Sequence, residues 1–174
     1  MSDWIDFAKL LGFDVALPLK IETLKPMQAI RDMCASDKCK AYGKNWTCPP
    51  ECGTVAECEA EMQSYRQGIL VQTVGKLSRT IDTKGYAQTA LRHKDLFQEL
   101  TDRIREEYPD ALCLGAGVCS RCAECAYPEP CRFPDKRIEA LEGYGIFITR
   151  LCQDNGVTYY YGEGTIAYNG ALLW

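Results

Sequence analysis

Histidine is almost absent from this sequence, which has a single one, His93, in 174 residues. Zinc sites that combine cysteine and histidine therefore have almost no donor to draw on, and catalysis by a histidine base has at most one candidate. His93 falls within a predicted long helix and has no second histidine to act with. We therefore interpret it as a structural or solvated residue.

Long apolar runs and a strong charge imbalance are also missing. No run of roughly 18 or more apolar residues is present, and the start of the chain lacks the charged, apolar and small-residue pattern of a signal peptide. The formal net charge is −4, so the composition indicates no general surface for nucleic acid. These absences predict a cytoplasmic protein with neither a membrane nor a nucleic acid as partner.

Cysteine, by contrast, is abundant, with 11 residues in the chain. Thiols stay reduced in the cytoplasm, and an odd number of them cannot all pair in disulfides, so metal binding is the better explanation of the excess. Most of the cysteines fall into two sets, which we call the N-terminal group (Cys34, Cys39, Cys48 and Cys52) and the C-terminal group (Cys119, Cys122, Cys125 and Cys131).

The C-terminal group has the spacing of an iron–sulfur loop. Three cysteines follow one another as C-x2-C-x2-C, and Cys131 comes after five more residues. Such a loop aims several thiolates at one small volume, as a [4Fe–4S] cluster requires, and bacterial ferredoxins share the first two gaps. A structural zinc site fits less well, because zinc usually takes two separated C-x2-C pairs. Disulfides or free thiols are the remaining alternative.

The surroundings of the C-terminal group suit a negatively charged cluster. Gly115 and Gly117 precede it and allow close approach of the backbone, with N–H groups free to point at sulfur. Basic side chains that would offset the charge flank it, namely Arg121, Arg132, Lys136 and Arg137. The sequence therefore predicts a [4Fe–4S] cluster here, with Cys131 serving either this cluster or a distant one.

The N-terminal group predicts a second [4Fe–4S] cluster, because it places four cysteines within nineteen residues. Tyr42 and Trp46 lie between these cysteines and would shield a cluster from water, which tunes its potential. Pro49 and Pro50 prevent a helix and stiffen the loop. The alternative is a turn whose aromatic residues pack on the core while its thiols stay unligated.

The remaining cysteines fall in predicted regular elements. Cys58 recurs with apolar residues on one face of a helix, so we expect it in the core. Cys113 lies within a predicted strand and is also expected in the core, whereas the face of Cys152 is ambiguous. The sequence leaves the fourth ligand of the N-terminal site open. The candidates are Cys52, Cys58, Cys113 and Cys152, and the alternative is an iron to which no fourth cysteine binds.

The hydrophobic pattern predicts one α/β (α+β) domain over residues 1–174, with a small mixed sheet. The predicted elements are a helix over 3–11 closed by Gly12, an edge strand over 15–21, a helix with Thr23 as N-cap, a helix capped by Thr54 and Glu57, a strand over 69–74, a helix over about 84–107, a strand over 111–115, a helix over about 144–154, and two strands over 159–161 and 165–174. The strand–helix–strand order around the long helix predicts a βαβ unit with parallel pairing. The C-terminal group leaves the end of that second strand, where open α/β sheets place ligands.

Motifs in both groups are specific enough to suggest relatives. They are Cys39-x2-Tyr42-Gly43-Lys44-x-Trp46-x-Cys48-Pro49-Pro50, then Gly115-x-Gly-x-Cys119-x2-Cys122-x2-Cys125, then Cys131-Arg132-x-Pro134. Gly143-Tyr144-Gly145 and the final Asn169-Gly-Ala-Leu-Leu segment are similar too. Together they resemble the DUF2284 family of predicted metal-binding proteins, over roughly residues 20–174.

The resemblance implies a small soluble prokaryotic protein, frequent in anaerobes, that binds iron–sulfur clusters. It also implies that Cys34, Cys39 and Cys48 are the recurring positions of the first motif, whereas Cys52 and Cys58 are particular to this chain. The family has no established reaction, so the resemblance names no substrate.

Two hypotheses of function follow, with a weaker third. The first is electron transfer by two [4Fe–4S] clusters to a partner protein in a larger redox or methyl-transfer system. The second is an enzyme, in which a cluster with three cysteine ligands leaves one iron open to a small-molecule substrate. The radical S-adenosylmethionine spacing C-x3-C-x2-C is absent from both groups, so that chemistry is not invoked. The third is a zinc-stabilised interaction module.

Overall fold

A computed structural model describes residues 1–79 and 81–174 and shows a single α+β domain. Its elements are α1 (Ser2–Leu11), β1 (Val15–Pro18), a 3-10 turn (Ile21–Thr23), α2 (Gln28–Cys34), α3 (Val55–Ser64), β2 (Gly68–Lys76), α4 (Thr83–Glu107), β3 (Leu112–Gly115), a second 3-10 turn (Pro134–Lys136), β4 (Glu139–Ala140), α5 (Ile148–Asp154) and β5 (Thr165–Leu173). Among the helices so described, none has both the length and the apolar character that a bilayer crossing needs.

The sheet has five strands in the order β1-β2-β5-β3-β4. β5 pairs antiparallel with β2 along its whole length, from Gly68 opposite Leu173 to Lys76 opposite Thr165, and antiparallel with β3 on its other side. The prediction of direct parallel pairing between the strands that flank α4 is therefore wrong. β2 and β3 run parallel to each other, but β5 lies between them.

The two faces of the sheet carry two cores, because successive residues of a strand point to opposite sides. Ile69 and Val71 of β2 face α1 and α4, where Phe97 and Leu100 are buried against them. Leu70 faces the other side and packs in a cluster that includes Leu141 of the segment after β4. The sheet thus forms a central layer, and the loop of the C-terminal group leaves it at the end of β3.

A glycine in the centre of the sheet allows α4 to pack closely on β5. A Cβ atom added at Gly170 would lie 2.2 Å from Cε2 of Phe97. The Phe97 ring is 2% exposed and therefore has no free space into which it could move. Because α4 packs this closely on β5, its polar side chains are near enough to contact the loop of the C-terminal group.

Most predicted helices are present with small shifts in their ends. Gly12 ends α1 with φ of 116°, and Thr54 forms the predicted capping box with Glu57. Thr23 is not an N-cap, because α2 begins later, at Gln28. The Thr23 hydroxyl instead donates to the carbonyl of Lys20 at 2.6 Å.

The end of the chain differs from the prediction. Tyr159, Tyr160 and Tyr161 do not form a strand, and Tyr160 is 71% exposed. The short strand β4 was not predicted, since two residues carry no periodic pattern. β5 is present as predicted.

His93 and two cysteines lie in the interior of the protein. His93 is on α4 as predicted, and its Nδ1 is 2.9 Å from the Thr73 hydroxyl. Burial lowers the pKa of His93 to about 4, so the ring is neutral at physiological pH. Cys113 is buried as predicted, and Cys152 proves to face inward, 3.4 Å from Oδ1 of Asn169.

Candidate metal centre

The loop after β3 brings the whole C-terminal group together. Cys119, Cys122, Cys125 and Cys131 all line one small cavity. Trp46 and Phe133 also line this cavity and cover it with apolar surface. The thiols of the C-terminal group therefore converge on one volume, as the spacing predicts.

Polar residues of α4 fix this loop against the sheet. The Arg121 guanidinium donates to both carboxylate oxygens of Asp102, at 2.8 and 2.9 Å, and to the carbonyl of Lys136 at 2.8 Å. Gln98 donates to the hydroxyl of Ser120 at 2.8 Å. Bidentate pairs of this kind hold both partners in one orientation. The first half of the loop is therefore tied to a helix.

The basic residues predicted to offset the charge of a cluster have different surroundings. Arg121, Arg132 and Arg137 line the cavity of the C-terminal group, whereas Lys136 does not. Arg121 is already paired with Asp102, and Arg137 forms a short ion pair with Glu139. Arg132 donates to the carbonyl of Glu124 at 2.8 Å and forms no ion pair in the part of the chain described. Arg132 is thus the cavity arginine whose charge is not yet balanced.

Three of the four N-terminal cysteines also converge. Cys34, Cys39 and Cys48 line a cavity of about 490 Å³. Cys34 is the last residue of α2, Cys39 is exposed, and Cys48 is buried. Cys34 and Cys39 line a neighbouring cavity of about 520 Å³ as well. Cys34 and Cys39 therefore lie on a wall between two open spaces, whereas Cys48 lines only the first.

The protein alone disfavours the thiolate form of two of these residues, Cys34 and Cys48. Burial raises the pKa of Cys48 to about 12, and the neighbouring Cys39 adds to the shift. Burial also raises the pKa of Cys34, again with Cys39 contributing. Buried thiols that would repel one another as thiolates suit a bound cation, whose charge removes both penalties.

Cys52 faces away from this cavity and lies beside Cys58. The Cys52 thiol donates to the carbonyl of Gly143 at 3.3 Å, and the Cys58 thiol donates to the carbonyl of Cys52 at 3.2 Å. The closeness of the two thiols raises the pKa of Cys52 and lowers that of Cys58, and Arg31 contributes to the lowering. The structure thus groups Cys52 with a core cysteine, while the other three N-terminal thiols share a cavity.

We call the cavity lined by the C-terminal group the C-terminal cavity, and the cavity of about 490 Å³ lined by Cys34, Cys39 and Cys48 the N-terminal cavity. The two cavities share a thin wall. Thr47 lines the C-terminal cavity, and its neighbour Cys48 lines the N-terminal cavity. In the same way, Cys119 lines the C-terminal cavity and its neighbour Val118 lines the N-terminal cavity. The backbone N–H of Cys119 donates to the Thr47 hydroxyl at 3.3 Å and joins the two segments. Tyr42 lines the N-terminal cavity, whereas Trp46 lines the other. The two aromatic residues thus shield one cavity each.

Sequence reasoning missed two charged residues of the N-terminal cavity. Lys94 of α4 and Glu142, which follows β4, both line it. Burial raises the pKa of Glu142, and the N–H of Gly117 approaches its Oε2 at 3.4 Å. No motif or spacing links these residues to the cysteines, since only the fold brings them together. Glu142 comes two residues after the short strand β4, which positions it beside the cavity.

A single ion and a multinuclear centre place different demands on the spacing of the thiols. Within residues 1–79 and 81–174, no three His, Cys, Asp or Glu side chains are arranged to hold one metal ion directly. A tetrahedral zinc site needs sulfurs within about 4 Å of each other, given zinc–sulfur bonds of about 2.3 Å. A four-iron cube instead carries its thiolates at separate corners.

The fold and these cavities define a cysteine-rich metal-binding α+β protein. The family model of DUF2284, described as predicted metal-binding proteins, matches residues 18–174. The chain belongs to this family, which confirms the resemblance seen in the motifs. No curated protein and no solved structure matches the chain.

Proposed function

We propose that the protein binds two [4Fe–4S] clusters, one at each cysteine group, and carries electrons in the cytoplasm for a larger redox or methyl-transfer system. The observation that supports this most is the pair of separate thiol-lined cavities. A single shared cluster would need only four cysteines and would leave the other convergent thiols without a role.

The ligands follow from the cavities. Cys119, Cys122, Cys125 and Cys131 would hold the C-terminal cluster, and the cavity that all four line supports Cys131 as a ligand of this local site. Cys34, Cys39 and Cys48 would hold the N-terminal cluster. Cys52, which the sequence offered as a fourth ligand, is left out because its thiol faces Gly143 and Cys58.

The shared wall suits transfer of electrons between the sites. A [4Fe–4S] cluster supplies one-electron redox chemistry when bound. The residues of this chain hold the two sites close together, since Thr47 and Cys48 are consecutive and line one cavity each. Trp46 packs edge-on against Tyr127, with ring centroids 5.1 Å apart, and limits the access of water. Arg132 and the 47% exposed Phe133 are where a redox partner protein would make contact.

The identity of the metal is the first test. Protein produced without oxygen should be brown, with broad absorbance near about 400 nm, because cysteine-ligated iron–sulfur centres absorb there. Iron and acid-labile sulfide should be present in equal amounts, at about eight of each per chain for two four-iron centres. A colourless protein with stoichiometric zinc and no sulfide would support the zinc-stabilised module and contradict the proposal.

The role of the Cys52–Cys58 pair is a second test. Cys58→Ala and Cys52→Ala should each keep the full iron content, because neither thiol faces a cavity. Each variant should lose on the order of 1 kcal/mol of unfolding free energy, as for trimming a small buried side chain. Iron analysis and denaturant unfolding under anaerobic conditions measure both quantities.

Cys48→Ala is the matched control, because Cys48 is buried like Cys58 but lines a cavity. This variant should lose iron from the N-terminal site. A loss of half the iron in the Cys52 or Cys58 variant would instead make that residue a ligand.

An enzymatic role is a second candidate, and one observation favours it. The N-terminal cavity receives three cysteines of the chain rather than four, and it has room for a small molecule. Small-molecule sites usually occupy about 300–1,000 Å³, and this cavity of about 490 Å³ falls within that range. A change in the electron paramagnetic resonance (EPR) signal on addition of a small molecule would favour catalysis over electron transfer alone.

A further inference from the structure

The cavity beside Cys34, Cys39 and Cys48 combines apolar walls with two opposite charges. Val118, Ala140 and Tyr168 contribute apolar surface. Lys94 and Glu142 supply the charges, and both are half-buried. Such a lining is typical of small-molecule sites, where few polar groups orient a mostly apolar ligand.

The two charges are not paired with each other. Neither Lys94 nor Glu142 takes part in any ion pair among the described residues. The Glu142 carboxylate accepts from backbone N–H groups, its own and that of Gly117 at 3.4 Å, but faces no basic side chain within ion-pair distance among the described residues. A half-buried charge without a partner is costly, because burial removes part of its hydration. A ligand that carries both charges would restore a partner to each.

We propose that this cavity binds a small zwitterionic molecule of the aliphatic amino-acid class, with its carboxylate at Lys94 and its ammonium group at Glu142. The apolar chain of the ligand lies against Val118, Ala140 and Tyr168. A ligand with only a carboxylate would leave Glu142 uncompensated, and one with only an amine would leave Lys94 uncompensated. The inference builds on the three-cysteine site of the proposed function, but the charges and walls of the cavity belong to the chain itself.

The test is titration calorimetry on the anaerobically prepared full-length protein with three matched probes. Norleucine carries both charges, hexanoate lacks only the ammonium group, and pentylamine lacks only the carboxylate. Norleucine should bind, and each single-charge probe should bind at least about tenfold more weakly, since one charged contact is worth roughly that factor. Equal binding of hexanoate and norleucine would overturn the zwitterion assignment.

Two variants assign the charges. Lys94→Met should weaken norleucine about tenfold without weakening pentylamine, and Glu142→Gln should weaken norleucine without weakening hexanoate. Lys84→Met on the same helix and Glu99→Gln are controls, because both side chains are exposed and neither lines the cavity. Unchanged norleucine binding in Lys94→Met, with a shifted EPR signal, would make Lys94 a counter-charge to the cluster and overturn the proposal.

Iron analysis of the same samples separates this inference from the proposed function. Full iron with no binding of norleucine would overturn the ligand assignment and leave the clusters in place. Binding of norleucine by protein that lacks iron and sulfide would support the ligand assignment and overturn the clusters.

Discussion

Replacing Cys122 by alanine is expected to remove about four irons from the anaerobically prepared protein and to leave a second cluster signal intact. Among the cavities described, Cys122 lines only the C-terminal one, so its replacement removes a ligand from that site alone. Cys39→Ala should produce the converse, because Cys39 lines the N-terminal cavities alone. Iron counting and EPR spectroscopy of the reduced variants measure the outcome.

Cys152→Ala is the matched control for both variants. Cys152 is fully buried in the core and lines neither thiol-lined cavity, so its replacement should leave all iron in place. Circular dichroism shows whether each variant remains folded. If Cys122→Ala or Cys39→Ala alone empties a folded protein of iron, a single bridged cluster or a strict dependence between the sites would replace the proposal.

Gly170→Ala is expected to lower the unfolding free energy by about 2 kcal/mol. The added Cβ atom would meet the Phe97 ring at 2.2 Å, and overpacking of a well-filled core costs about 1–3 kcal/mol. The smaller entropy of the unfolded alanine chain offsets only about 0.4–1 kcal/mol of this cost. For a chain of this size the melting temperature should fall by about 4–8 °C, which calorimetry of the apoprotein under reductant measures.

A compensating variant shows whether the contact with Phe97 causes the effect. Phe97→Leu removes ring atoms that the new Cβ would meet, so the double variant should be more stable than the sum of the single effects predicts. The coupling energy should exceed about 1 kcal/mol, as for residues in direct contact. Strict additivity would show that Gly170 matters for a reason other than close packing.

The features that the sequence predicted correctly depend on neighbouring residues. The Thr54 capping box, the long helix α4 and the convergence of Cys119, Cys122 and Cys125 each follow from a few adjacent positions. The short motifs also suggested the family, whose model matches residues 18–174. Local spacing is thus enough to predict that these thiols converge and to suggest the α+β class.

The features that the sequence did not predict depend on distant residues. The insertion of β5 between β2 and β3 is a non-local pairing, which no strand–helix–strand pattern specifies. The direction of the Cys52 thiol is set by contacts with Gly143 and Cys58 rather than by its spacing from Cys48. Lys94 and Glu142 meet the cysteines only because α4 and β4 pack around the same cavity.

The central position of β5 also has a consequence for the order of events during folding. Pairs between residues as far apart as Gly68 and Leu173 must close before the sheet is complete, and such non-local closure is slow. Until then β3 has only the two-residue β4 to pair with, and the thiols of both groups are exposed to oxidants. The incompletely folded chain is therefore the species most vulnerable to oxidation. A reductant present throughout refolding should therefore preserve more metal-binding capacity than refolding in air without one, because it keeps these thiols from forming disulfides.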